Sequence, residues 1–201
     1  MSNKLVLITG GARSGKSRLA EELVLQAEGT HFYLATAPVL DAEMADRVRR
    51  HRERREAQNW VTIEEERDLA GAVRLAAAEG AGAVLIDCLT LWINNLLYET
   101  PELTEDAIAE RTAELVDALR AGPPLCVLVI NEVGLGLVPE SPLARRFRDL
   151  SGRCAQIVAA AADEVYFTVA GIAQRIKSSC CPARAGRAPG KAAGKWRAGW
   201  C

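Results

Sequence analysis

Residues 10–17 read Gly-Gly-Ala-Arg-Ser-Gly-Lys-Ser and directly follow the apolar run Leu-Val-Leu-Ile at residues 5–8. They fit the pattern G-x-x-x-x-G-K-[ST], whose glycines let successive backbone N–H groups converge on phosphate oxygens. Lys16 would then reach the β- and γ-phosphates of a nucleotide, and the Ser17 hydroxyl would face Mg²⁺. A strand-like run before the pattern and a helix-like one after it predict a phosphate-binding loop. Its members are Gly10, Gly11, Ala12, Arg13, Ser14, Gly15, Lys16 and Ser17.

Asp87 is the second candidate, because it ends the apolar run at residues 83–86. A carboxylate at the tip of a buried strand can meet the Mg²⁺ that Ser17 would hold. Taken alone, an aspartate that closes a strand is more often a turn former. Together with the phosphate-binding loop, the position favours a metal ligand of the Walker-B type.

Six arginines surround His51 within residues 46–56, and the chain has only two histidines. On a helix, Arg47, Arg54 and Arg55 would share the face of His51. Such a charge run is often a solvated face. However, guanidinium groups match phosphate oxygens, and they favour the neutral imidazole, whose free nitrogen can attack phosphorus. The other histidine, His31, has no cationic neighbours in sequence, and we expect a structural role for it.

Residues 131–140, Asn-Glu-Val-Gly-Leu-Gly-Leu-Val-Pro-Glu, follow a buried apolar run. Their glycines, proline and two carboxylates at the end of a strand favour a loop over the site, with an ordinary connection to the next helix as the alternative. The helix-like segment after this loop carries a basic face, which we interpret as mainly solvated. That face consists of Arg145, Arg146, Arg148 and Arg153.

Short apolar runs alternate with longer segments of helical periodicity, which predicts an α/β fold: a mostly parallel sheet with helices on both faces. The predicted strands are residues 5–8, 32–35, 83–86, 125–130 and 165–169, with a weaker signal at 62–64. The predicted helices are residues 18–28, 41–57, 66–78, 91–120 with an interruption near 100–101, and 143–162. In such a sheet, ligands gather at the carboxyl ends of the strands, where the phosphate-binding loop falls.

The composition, with 201 residues, 49% hydrophobic and 25% charged, indicates one compact domain over residues 1–177. Residues 178–201 carry five basic and no acidic residues and lack periodicity, which predicts a disordered basic tail.

The amino-terminal apolar run is too short for a signal peptide or a membrane span, so we expect a cytoplasmic protein. The scattered cysteines lack zinc-site spacing, and we expect Cys88, Cys126 and Cys154 to be buried thiols. Only 5% aromatic residues and an acidic body argue against nucleic-acid binding.

Several of these motifs together resemble one family, the bifunctional adenosylcobinamide kinase / adenosylcobinamide-phosphate guanylyltransferases of cobalamin biosynthesis. The resemblance extends in order over residues 5–177. It is carried by residues 8–17, 33–37, 41–44 leading to Arg47 and His51, 131–140, 147–149 with 152–153, and 161–165.

The resemblance implies a RecA-like P-loop fold, a homotrimer and two reactions. An NTP, either ATP or GTP, would phosphorylate adenosylcobinamide, and GMP would then pass from GTP through His51 to adenosylcobinamide phosphate. Beyond residues 10–17, the nucleotide-binding positions that it implies are Thr36, Ala37, Pro38, Arg52, Glu53, Arg54, Arg55, Glu64 and Asp87. A small-molecule kinase without nucleotidyl transfer and a GTPase switch are the alternatives, although the switch would lack an Asn-Lys-x-Asp element for base recognition.

Overall fold

A computed structural model describes residues 3–37 and 60–178 of the chain. The predicted helix at residues 41–57 and the tail from residue 179 onward lie outside that part. In chain order the elements are β1 (Lys4–Gly10), α1 (Lys16–Val24), β2 (Thr30–Ala35), β3 (Trp60–Glu64), α2 (Leu69–Ala78), β4 (Ala81–Asp87), α3 (Leu89–Glu99), α4 (Glu105–Ala121), β5 (Leu125–Asn131), α5 (Pro142–Ala161), β6 (Glu164–Val169) and β7 (Ile172–Lys177).

The strands form a seven-stranded sheet in the order β3-β2-β4-β5-β1-β6-β7. The first six strands in this order pair in parallel, and β7 pairs antiparallel with β6. The predicted α/β class with a mostly parallel sheet is therefore confirmed. Because β5 lies between β1 and β4, the strand that ends at Asp87 is two places from the strand that leads into the phosphate-binding loop.

Both faces of the sheet are covered, as the continuous apolar runs predict. In β1, Leu5 and Leu7 point to a core shared with α2, α3, α4 and α5. Val6 and Ile8 alternate with them and point to the opposite core, where Ala20 of α1 packs. Helix α1 thus covers the second face, and it places its first turn at the phosphate-binding loop.

The helix boundaries differ from the sequence predictions by a few residues where a local cap decides them. The helix predicted from residue 66 begins at Leu69, because the Asp68 carboxylate accepts a hydrogen bond from Gly71 N at 2.8 Å. The helix predicted at 18–28 spans Lys16–Val24 instead, since its first turn belongs to the phosphate-binding loop. The interruption near residue 100 is confirmed as the boundary between α3 and α4.

Strand β7 is the element that the sequence analysis missed. It pairs with β6 through a two-residue turn in which Ala170 (φ 51°) and Gly171 (φ 83°) both have positive φ, as a type I′ hairpin requires. The first position of such turns usually holds Asn, Asp or Gly, so the Ala-Gly pair gives a weak signal. The weak strand signal at residues 62–64 corresponds to β3.

The remaining structural expectations concern cysteines and His31. Cys88, Cys126 and Cys154 are free and buried, which confirms their assignment as buried thiols. The ring nitrogen Nε2 of His31 lies 2.9 Å from Ala27 O, and its ring lies 5.6 Å from the Trp60 ring, in keeping with a structural role. None of the helices in the part of the chain just described is long and apolar enough to cross a membrane.

Candidate nucleotide site

The loop between β1 and α1 turns sharply against β6 and the turn that follows it. A Cβ atom on Gly10 would lie 2.3 Å from Thr168 O, and one on Gly15 would lie 3.2 Å from Gly171 Cα. Gly15 also has a φ of 97°, which side chains rarely adopt. The two glycines therefore allow the backbone of the loop to pack closely against its support while its N–H groups stay available for an anion.

Lys16 begins α1, and its side chain curls over the loop. Its Nζ donates hydrogen bonds to Gly11 O at 2.6 Å and to Ser14 Oγ at 3.4 Å, and the residue is only 6% exposed. Burial lowers the pKa of Lys16, an effect that the nearby acidic groups of Asp87 and Cys88 oppose. The ammonium group is thus held beside the loop, where phosphate oxygens could replace the carbonyl that it now contacts.

Asp87 ends β4, and it lies at the carboxyl ends of the strands, as the phosphate-binding loop does. It is close enough to Lys16 for its charge to act on the ammonium group. Its Oδ2 accepts a hydrogen bond from the Tyr33 hydroxyl at 3.2 Å. Ser17 stands half-buried in the first turn of α1. A carboxylate and a hydroxyl are hard oxygen donors, which suits Mg²⁺ completed by substrate phosphates and water. In the part of the chain that the structure covers, no group of three or more His, Cys, Asp or Glu residues forms a larger metal cage.

Thr36 follows β2 and is tied to the end of β4. Its hydroxyl donates to Cys88 O and accepts from Cys88 N, both at 2.8 Å, and the residue is fully buried. Asn95 of α3 donates through Nδ2 to Thr36 O at 2.9 Å and to Glu66 O at 3.2 Å. Asn95 therefore fixes the chain on both sides of residues 38–59. The Thr36 hydroxyl is engaged by the backbone of Cys88, and Ala37 beside it is half-buried.

Glu64 is exposed at the carboxyl end of β3, which is an edge strand. Three strands separate β3 from β1, so Glu64 stands roughly 19 Å from the strand of the phosphate-binding loop at the usual strand spacing. The structure thus brings Lys16, Ser17, Asp87 and Thr36 to the carboxyl ends of the parallel strands. It does not bring Glu64 to the phosphate-binding loop. The predictions for Pro38, His51, Arg52, Glu53, Arg54 and Arg55 fall outside the described residues.

The hairpin of β6 and β7 supplies contacts that the sequence analysis did not assign to the site. The hydroxyl oxygens of Ser14 and Thr168 share a hydrogen bond of 2.7 Å, and Gly171 N donates to Ser14 O at 3.0 Å. Thr168 Oγ1 also donates to Thr9 O at 3.2 Å. The available sequence signal was the small-residue pair Ala170-Gly171 just after a strand, and it was too weak to place a hairpin against the loop.

A glycine-rich loop between a central parallel strand and a helix, with a buried lysine and a strand-end carboxylate beside it, defines a P-loop nucleotide-binding protein. Residues 6–176 match the family described as cobinamide kinase / cobinamide phosphate guanyltransferase. The chain belongs to that family.

Three curated relatives are similar to this chain over most of its length. The bifunctional adenosylcobalamin biosynthesis protein CobU of Salmonella typhimurium is 44% identical over 183 residues, which cover 86% of this chain and 99% of the relative. The protein of the same name from Escherichia coli is 42% identical over 183 residues, with the same coverage. The bifunctional adenosylcobalamin biosynthesis protein CobP of Pseudomonas aeruginosa is 45% identical over 172 residues, or 85% of this chain and 96% of the relative.

Proposed function

We propose that this chain phosphorylates the aminopropanol hydroxyl of adenosylcobinamide with an NTP and then transfers GMP from GTP to the product. The family match over residues 6–176, which takes in the phosphate-binding loop, is the observation that carries the proposal. The relatives' names include the word bifunctional, which supports two reactions on one scaffold. The product of the second reaction is adenosylcobinamide-GDP.

In the first reaction, the backbone N–H groups of residues 10–17 and the ammonium of Lys16 hold the β- and γ-phosphates of the donor. Catalysis of phosphoryl transfer is mainly positioning and charge stabilisation, and a buried cation is strong in this role because little water screens it. Ser17 and Asp87 would hold Mg²⁺, which supplies positive charge at the transferring group. The oxygen of the hydroxyl on the corrinoid side arm attacks the γ-phosphorus, and the bond from that phosphorus to the β–γ bridging oxygen breaks. The nucleoside diphosphate leaves with that electron pair, and the hydroxyl proton passes to solvent.

In the second reaction, a free ring nitrogen of neutral His51 attacks the α-phosphorus of GTP. A P–N bond forms, the bond to the bridging oxygen breaks, and pyrophosphate leaves with that electron pair. A phosphate oxygen of adenosylcobinamide phosphate then attacks the same phosphorus and frees His51. Arg47, Arg52, Arg54 and Arg55 would neutralise the triphosphate during the first of these steps.

Nucleotide contacts at Thr36, Ala37, Pro38, Glu53 and Glu64 rest on the family resemblance. So does a homotrimer that works in the cytoplasm, with residues 1–177 as the enzymatic domain and residues 178–201 as a basic tail. For Glu64, the distance from the phosphate-binding loop favours a nucleotide bound on the β3 side of the sheet rather than on that loop.

Incubation with α-labelled GTP tests the nucleophile directly. We expect an acid-labile, base-stable label on the wild-type protein, the release of pyrophosphate, and no label on His51→Ala. The only other histidine provides the control, since His31→Asn should keep the label. Labelling that persists in His51→Ala would show that another residue is the nucleophile. A wild-type protein that neither takes the label nor releases pyrophosphate would exclude guanylyl transfer, and only the kinase activity would remain proposed.

A further inference from the structure

The loop at residues 132–140, which we call the apolar loop, exposes three large apolar side chains within four residues. Leu135 is 79% exposed, Leu137 96% and Val138 66%. Single exposed leucines are common in soluble proteins, but a contiguous apolar patch usually marks a binding surface. These side chains are therefore candidates for contact with an apolar ligand.

The apolar loop is continuous with the nucleotide site. Glu132 N, at its start, donates a hydrogen bond to Gly10 O at 2.9 Å, so the loop begins directly beside the first residue of the phosphate-binding loop. Its far end is held by Arg145, whose Nη1 donates to Pro139 O at 2.9 Å and to Glu140 O at 2.7 Å. Both ends are thus fixed, and the exposed side chains project between them.

The charge of the apolar loop also favours one kind of ligand. Glu132 and Glu140 give the loop two negative charges, and no basic residue lies between them. Adenosylcobinamide is a cation, because Co(III) carries more positive charge than the corrin ring and the adenosyl carbon balance. Its macrocycle has apolar faces with methyl groups, so it matches both the apolar and the acidic character of the loop.

A cavity of about 350 Å³ adjoins Arg145 and offers polar groups of both kinds. Glu105 and Asp149 supply acceptors, and Arg145 and Arg146 supply donors. The rim of a corrin ring carries amide side chains, each of which needs both a donor and an acceptor partner. An apolar surface beside a mixed polar cavity is the combination that such a ligand requires.

We propose that Leu135, Leu137 and Val138 form the surface that holds the corrin macrocycle while its side-arm hydroxyl receives the phosphoryl group. This inference rests on the proposed function, and it names the corrinoid-contacting part of that site. The acceptor hydroxyl is tethered to the macrocycle, so the macrocycle must lie within one side-arm length of the γ-phosphate. The apolar loop meets this requirement because it is anchored at Gly10.

The test compares Leu137→Ser and Leu135→Ser/Leu137→Ser with the wild-type protein in the kinase reaction. We expect the KM for adenosylcobinamide to rise by at least about ten-fold in the double variant, with less than about a two-fold change in the KM for the NTP donor. Titration of the corrinoid, followed by its visible absorption, should show the same loss of affinity. Leu75→Ser is the control, because Leu75 is 50% exposed in the second half of α2, which leads to the amino end of β4, whereas the apolar loop follows the carboxyl end of β5.

The other outcomes each overturn the inference in a recognisable way. Unchanged corrinoid affinity in the double variant would remove the apolar loop from the binding site. A change in sedimentation coefficient with equal rises in both KM values would identify the surface as an interface between copies of the chain. A wild-type protein that neither binds nor phosphorylates adenosylcobinamide would overturn the proposed function itself, and the inference with it.

Discussion

Lys16 combines a charge with nearly complete burial, which is costly unless the charge is paired or hydrogen-bonded. Burial lowers its pKa, while the neighbouring acidic groups of Asp87 and Cys88 favour the protonated form. The ammonium group is satisfied by Gly11 O and Ser14 Oγ, both within the loop itself. A nucleotide that binds there gains a cation already held in position, so little reorganisation is needed at the transition state.

We expect Lys16→Met to reduce phosphorylation of adenosylcobinamide by at least about 100-fold, since a preorganised donor to the transferring group is lost. Methionine has a similar length, and it removes a buried charge, so the circular dichroism spectrum and the thermal midpoint should change little. Initial rates with saturating ATP measure the effect. Arg18→Met is the matched control, because Arg18 is exposed two residues further along α1 and pairs with Glu22. Wild-type rates in Lys16→Met would show that Lys16 does not contribute to phosphoryl transfer.

The hairpin of β6 and β7 supports the phosphate-binding loop from the side opposite β5. The two contacts that join them are the hydroxyl pair of Ser14 with Thr168 and the bond from Gly171 N to Ser14 O. Gly10 and Gly15 allow this close approach, because a side chain at either position would meet the hairpin backbone. The shape of the loop therefore depends on a hairpin far from it in sequence.

Thr168→Val keeps the shape of the side chain but removes the hydroxyl, so Ser14 loses a partner. We expect the KM for ATP to rise by about three- to ten-fold and the free energy of unfolding to fall by about 1 kcal/mol. Steady-state kinetics and urea unfolding measure the two effects. Thr168→Ser retains the hydroxyl, so its KM should stay near the wild-type value. Equal KM values in Thr168→Val and Thr168→Ser would argue against the hydroxyl pair as a support of the loop.

The elements that were predicted from sequence are those with strong local patterns. The apolar run of β1 and the glycines after it are contiguous in the chain, and Asp87 closes an equally clear run. β7 was missed because all of its residues except Lys177 are exposed, so no alternation of apolar and polar residues marks it. The position of Glu64 depends on strand order, which arises from contacts distant in sequence, and local patterns do not encode it.

The proposed nucleotide site and a stabilising cluster of contacts lie at opposite ends of the parallel strands. Loop residues, Lys16 and Asp87 gather at the carboxyl ends of the parallel strands, as the fold class predicts. At the amino ends of the strands, Asp163 contacts three elements. Its Oδ2 accepts from Leu5 N at 2.8 Å and from Arg120 Nη1 at 2.9 Å, and its own N–H donates to Leu5 O at 2.8 Å. Asp163 thus links the start of β6, β1 and the end of α4.

Asp163 makes this link dependent on pH. Burial alone would raise the pKa of Asp163, but the hydrogen bonds from Arg120 and from Leu5 N–H lower the pKa overall, below the ordinary value of 3.8. A carboxyl group whose pKa is lowered by folding binds fewer protons in the folded state than in the unfolded state. Its contribution to stability is therefore complete above its ordinary pKa and is lost as the pH falls through the folded-state pKa.

We expect Asp163→Asn to lower the free energy of unfolding at pH 7 by about 1–2 kcal/mol. The effect is modest because the ion pair of Asp163 with Arg120 is partly exposed to solvent. The difference from the wild-type protein should stay constant down to about pH 5 and shrink as the pH falls below the ordinary pKa, since protonation then weakens the same bonds in the wild type. Urea unfolding at a series of pH values measures it. Asp149→Asn is the control, because Asp149 is 56% exposed and its contact with Arg148 spans 3.7 Å. A difference that grows toward acid pH would mean that folding raises the pKa of Asp163, and the link between β1, β6 and α4 would then depend on its uncharged form.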